Sequence, residues 1–171
     1  MTNLPNTSAS QSVYLSERPW NAERPRVLVV ACSDGRLQQN VDDFLRNHLG
    51  IADYDRLYMP GGPGALAQSG FEFLRADQWR RESNFLIGAH QLEEVILIFH
   101  AASVDGPIEA NCADYHRKLP TLNARRCREQ QDEDADDVLL RVFSAHSHLK
   151  LRAFRAEVRD DGKVQFVDLL A

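Results

Sequence analysis

Two short apolar runs constrain this chain more than any other feature. Arg26-Val27-Leu28-Val29-Val30-Ala31-Cys32 follows Pro25, and Glu94-Val95-Ile96-Leu97-Ile98-Phe99-His100 comes much later. Both are continuous and rich in β-branched residues, with no polar residue at alternate positions. A strand with one wet face alternates, whereas a strand that is apolar throughout is buried on both faces, as in a parallel sheet covered by helices. Helical periodicities fill the intervals. The chain therefore reads as α/β: a mainly parallel sheet with flanking helices.

After Asp34-Gly35, Leu37, Val41, Phe44, Leu45 and Leu49 fall on one helix face, with Gly50 placed to stop it. Asp55-Arg56-Leu57-Tyr58-Met59-Pro60 reads as a weaker strand running into Gly61-Gly62-Pro63-Gly64. A helical region from about 65 to 91 follows, which Glu82-Ser83-Asn84 either divides in two or crosses as an exposed turn. Pro107 suits the first turn of a helix carrying Ile108, Cys112, Tyr115 and Leu119. Asn123 to His148 reads as a charged helix whose acidic run, Asp132 to Asp137, is a solvated face. Residues 150–158 and 164–167, joined through Asp160-Asp161-Gly162, predict a C-terminal antiparallel hairpin. Residues 1–19, rich in Ser, Asn, Gln and Thr, read as a flexible arm, and 20–171 as a single domain.

At 171 residues the chain is long enough for one sizeable core. Its net charge of -5 argues against nucleic acid as a partner, since phosphate binding needs a basic face. No apolar stretch approaches the roughly 20 residues of a membrane span, and the N-terminal residues lack the basic-then-apolar pattern of a secretory signal. The three cysteines include no CxxC pair. The expectation is free thiols in a reducing cytoplasm.

Ligands of open α/β sheets collect at the carboxyl ends of the strands. Cys32, the Pro60-Gly61-Gly62 turn and His100 each follow a predicted strand, so three separated segments converge on one edge. Taken singly, each has an ordinary explanation: a buried thiol, a tight turn, a hydrogen-bonded histidine. Asp34 fits a helix cap and also a bidentate partner for Arg36. Gly61, Gly62 and Gly64 fit a turn needing positive φ, and equally a cradle of N–H groups for an anion. No GK[ST] follows, so this is not a nucleotide-binding P-loop. A phosphatase loop needs Cys-x5-Arg, and position 38 is Gln. A redox pair needs a second cysteine near Cys32, and none stands near it in the sequence.

Cys32-x-Asp34-x-Arg36 after a Val-rich strand, a glycine-rich turn about 30 residues on and a strand ending in His100 resemble the β-class carbonic anhydrases, over roughly residues 25–168. The resemblance implies zinc held by Cys32 and His100, an Asp34–Arg36 catalytic dyad, a small-molecule or bicarbonate ligand and a homodimer. The family's third ligand, the cysteine of His-x-x-Cys-Gly, falls on Ser103, and the glycine after it on Val104. A neutral hydroxyl is a poor zinc ligand. The resemblance thus implies a weak or absent zinc and an inefficient CO2 hydratase, and restoring a thiol at position 103 is expected to raise zinc occupancy. The alternative is a working zinc-dependent carbonate dehydratase, or a related lyase or hydrolase, with Asp34, Asp105 or Cys112 as substitute ligand.

Overall fold

The computed structural model describes residues 12–69 and 72–171; the expected arm at 1–19 falls outside the described residues up to position 11, and residues 12–19 are exposed and without regular structure. Among the described residues, five strands form one sheet: β1 (Val27–Cys32), β2 (Asp55–Met59), β3 (Glu94–Ala102), β4 (Lys150–Val158) and β5 (Val164–Asp168), in the order β2-β1-β3-β4-β5. The first four are mutually parallel, and β5 returns antiparallel to β4. A mainly parallel sheet with a C-terminal hairpin is thus what the apolar runs and the turn at Gly162, where φ is +76°, predicted.

Side chains on a strand alternate between faces, and this divides the continuous runs between two layers. Leu28 and Val30 of β1 join Val95, Leu97 and Phe99 of β3 beneath α2 (Phe73–His90) and α4 (Ala124–Val138). Val29 and Ala31 join Ile96 and Ile98 beneath α1 (Gln38–Asp43) and the wider π turn that extends it, Phe44–His48. There Phe44 stacks on Phe166 of the hairpin at 4.0 Å between centroids. Each fully buried Val, Leu or Ile contributes about 1.5–3 kcal/mol of transfer free energy.

Two expectations are corrected and one open alternative is decided. Glu82-Ser83-Asn84 does not interrupt α2: Ser83 is buried, and its hydroxyl donates back to the Trp79 carbonyl at 2.9 Å, so its polar group is satisfied within the helix. The helix expected after Pro107 is two pieces, a 3-10 turn at Ile108–Ala110 and the four-residue α3 (Tyr115–Lys118). Asn111 separates them in an extended conformation, and its Oδ1 accepts from the Ala102 N–H at 3.1 Å, capping the end of β3. The acidic run is not simply a solvated face. Asp134 is buried and accepts from Lys118 Nζ and the Tyr115 hydroxyl, each at 2.6 Å, while Asp132 pairs with the buried Arg155 at 2.6 Å.

The glycine-rich turn is a packing element. Gly61–Ala67 is buried throughout, with a 3-10 turn at Gly62–Leu66. A Cβ on Gly62, where φ is +54°, would stand 2.7 Å from the Cys32 backbone nitrogen, and one on Gly64 would collide with the Tyr115 hydroxyl.

Removing one member of a buried ion pair strands the other, which costs about 3–5 kcal/mol. Lys118→Met is therefore expected to lower unfolding free energy by that order. Lys118→Met combined with Asp134→Leu should lose less than the sum of the single changes in urea unfolding. A single-variant loss below about 1 kcal/mol would show that the pair is not a stabilising contact.

Candidate metal centre

Parallel pairing of β1 with β3 sets the site. The register runs from Val27 opposite Glu94 to Ala31 opposite Ile98, so Cys32, one residue on, and His100, two residues on, emerge in adjacent rows of neighbouring strands. Cys112 joins them from the irregular stretch between Asn111 and α3. A ring nitrogen of His100 and the sulfurs of Cys32 and Cys112 all lie within 4.8 Å of one another, and the two sulfurs are 3.8 Å apart.

His100 shows how the set is polarised. Its Nδ1 lies 3.1 Å from the Ala110 carbonyl oxygen. A carbonyl only accepts, so Nδ1 carries the proton and Nε2 presents a lone pair. That Nε2 is buried and has no hydrogen-bond partner among the described residues. Metal-ligating histidines are oriented in this way, with the second nitrogen donating to a carbonyl or carboxylate. The Gln131 amide holds the same strand end by donating to the His100 carbonyl at 2.8 Å.

The donors fit zinc. Two thiolates about 2.3 Å from a tetrahedral ion stand about 3.7–3.8 Å apart, close to the separation found here. A thiolate, imidazole, thiolate set also matches the metal's preference for nitrogen and sulfur. The hydrogen bond from Cys112 is the largest influence on Cys32 and lowers its thiol pKa, with His100 acting in the same direction and burial opposing. Cys112 is pushed up by the same bond, and burial adds to the effect.

The Asp34–Arg36 pair stands beside this cluster. Asp34 Oδ1 accepts from Arg36 Nε at 3.0 Å and from its backbone N–H at 3.1 Å, and Oδ2 accepts from Nη2 at 2.6 Å. Hydrogen bonds from the Arg36 side chain are the main reason the Asp34 carboxyl is held down at about 2. Asp34 is not a helix cap, since α1 has no side-chain cap. The Arg36 guanidinium also donates to the Glu109 carbonyl at 3.3 Å, tying the turn after β1 to the segment that carries Cys112.

Ser103 stands apart. β3 does not stop at His100 but continues to Ala102, and the Ser103 N–H donates to the Val158 carbonyl at 2.9 Å. Three extended residues carry it about 10 Å along the strand from His100. Val104 and Asp105 beyond it are exposed. Among the described residues, the cluster contains neither Asp34 nor Asp105. Gly61, Gly62 and Gly64 back the site: Gly62 lies against the Cys32 backbone, and the Gly64 N–H is used within its own turn, on the Gly61 carbonyl at 3.2 Å. A cavity of about 40 Å³ adjoins Cys32, Asp34 and His100, with Val41, Tyr58 and Ile98 among its largely apolar walls.

Sequence reasoning named Cys112 only as one of three substitutes, because an unbroken helix from Pro107 would have turned it toward a core. The polar Asn111 in the middle of that apolar pattern was the available sign of a break. Nothing in the sequence pointed to the Ala110 carbonyl or to Gln131.

No family model matches the sequence, and no curated protein matches it. Among solved structures, the β-carbonic anhydrase CcaA is 14% identical with a TM-score of 0.49, the match covering 87% of this chain and 82% of that one. β-Carbonic anhydrase isoform I of Trichomonas vaginalis is 12% identical with a TM-score of 0.45, covering 90% and 88%. CafD of Aspergillus fumigatus is 13% identical with a TM-score of 0.44, covering 89% and 95%.

The geometry separates positions 103 and 112 experimentally. Cobalt(II) added to Cys112→Ser is expected to give at most half the thiolate-to-metal charge-transfer absorption of the parent, whereas Ser103→Ala should match the parent. Ser103→Cys, contrary to the expectation from the resemblance alone, should not raise zinc occupancy. An increase would mean that the segment after His100 refolds toward the cluster.

Proposed function

We propose that this chain is a divergent carbonic-anhydrase-like protein whose Cys32, His100 and Cys112 take up zinc weakly and which hydrates CO2 inefficiently. The observation that carries the reading is the buried, unpartnered Nε2 of His100 beside two sulfurs 3.8 Å apart. Zinc held there would supply Lewis acidity and lower the pKa of water. Weakness follows from the state of the third ligand. Cys112 is buried and its thiol pKa is pushed up by the hydrogen bond with Cys32 and by burial, so binding must also strip a firmly held proton.

The protein's own residues divide the remaining work. Asp34, fixed and ionised by Arg36, is an acceptor that orients a water or the hydrogen-bonded form of a substrate. The Ala110 carbonyl holds the His100 ring in the tautomer that exposes Nε2. The cavity of about 40 Å³ limits what enters to a few heavy atoms. Its apolar walls suit an uncharged molecule such as CO2 rather than a larger organic anion.

A second reading, a working carbonate dehydratase, draws support from two features: the Asp34–Arg36 clamp and the small apolar cavity both stand beside the cluster. Metal analysis followed by stopped-flow CO2 hydration distinguishes the two. The proposed function predicts substoichiometric zinc after dialysis against a mild chelator, and slow hydration at saturating zinc. Asp34→Asn is expected to reduce that residual rate at least tenfold while zinc uptake stays within twofold. Fast hydration with one tightly held zinc would favour the second reading. No zinc at any concentration would overturn both.

A further inference from the structure

Lack of a neighbouring cysteine in the sequence argues against a redox pair, yet the fold supplies one. Cys32 and Cys112 are 80 residues apart in the chain, and their sulfurs are in contact at 3.8 Å. They differ in access. Cys32 is half-buried and lines the small cavity, whereas Cys112 is buried behind it. Cys127 packs in the same cluster, but it is fully buried and its sulfur accepts from the Gln131 amide at 3.4 Å.

We propose that Cys32 and Cys112 are a disulfide-forming pair, oxidised by hydroperoxides that reach Cys32 through the cavity. In the first step the Cys32 sulfur attacks the peroxide. The O–O bond breaks, Cys32 becomes a sulfenic acid, and the other oxygen leaves as water or an alcohol. In the second step the Cys112 sulfur attacks the sulfenic sulfur. The S–S bond forms, the S–O bond breaks, and hydroxide leaves with the Cys112 proton as water. Two electrons pass from the two sulfurs to one peroxide, and no further reductant or oxidant is needed.

The geometry permits closure. A disulfide needs about 2.05 Å between sulfurs, so the pair must approach by somewhat under 2 Å. Cys32 is the last residue of its strand, and Cys112 lies between two short helical pieces rather than inside a regular element. Closure then requires side-chain rotation together with a small movement of the Cys112 segment. The bridge itself is independent of the metal reading, but one consequence rests on it. Sulfurs bridged at about 2.05 Å are too close to flank a zinc that holds them about 3.7–3.8 Å apart, so oxidation and metal binding exclude each other.

The test uses the full chain, reduced and stripped of metal, then exposed to hydrogen peroxide. Free thiols should fall from three to one per chain, the intact mass should drop by two hydrogens, and peptide mapping should join Cys32 to Cys112. Cys127→Ser should still form the bridge. Cys112→Ser should instead accumulate a Cys32 sulfenic acid, trapped by dimedone. In zinc-loaded protein, metal release to a chromogenic chelator should follow the time course of bridge formation. Three persistent thiols, a bridge through Cys127, or further oxidation of Cys32 in the parent protein would overturn the proposal. A bridge forming in a protein that takes up no zinc would uphold the redox pair while the proposed metal function fails.

Discussion

The parallel pairing of β1 with β3 is the constraint on which the rest depends. Its register aligns Cys32, the last residue of β1, with the stretch of β3 that carries His100, and brings a thiol and an imidazole out at one edge. A slip of one residue would turn Cys32 or His100 onto the other face and would also expose one of the two apolar layers. Core packing and site geometry are therefore fixed by the same interaction. The layers above and below the sheet hold the register by burying alternate residues of the same two runs.

A second tier of polar contacts converts that edge into a site. Asn111 caps β3 through the Ala102 N–H and breaks the helical path, which releases Cys112 toward Cys32. Arg36 clamps Asp34 and reaches across to the Glu109 carbonyl, joining the turn after β1 to the same segment. Tyr115 and Lys118, just beyond, are held by Asp134 of α4. Buried polar groups of this kind are costly when left unpaired. Each pairing accordingly restricts where the chain can run, and together they fix a short segment that has little regular structure of its own. Three buried side-chain atoms of the network, His100 Nε2, Asn111 Nδ2 and Gln131 Oε1, have no hydrogen-bond partner among the described residues, and of these only Nε2 belongs to the Cys32, His100 and Cys112 cluster.

These contacts also explain why the sequence was read correctly in some places and not in others. Continuous β-branched runs and the Asp-Asp-Gly turn have local causes, so strands and hairpin were legible. The break at Asn111 showed only as one polar residue in an apolar pattern, because its cause is a hydrogen bond to Ala102 on another element. The acidic run looked solvated because its charges are consecutive. The partners of Asp132 and Asp134 are Arg155 and Lys118, distant in sequence.

The sequence alone determined the strand order of chemistry: a thiol closing the first buried run, an imidazole in the third strand, and a carboxylate beside a guanidinium after the first. Residue type and strand periodicity act within a few residues, so they are readable without a fold. Only the tertiary structure decided the third member of the cluster. Extending β3 two residues beyond His100 carried Ser103 away, and the cap on that strand turned Cys112 inward. Both depend on hydrogen bonds between elements that meet only after the sheet has formed.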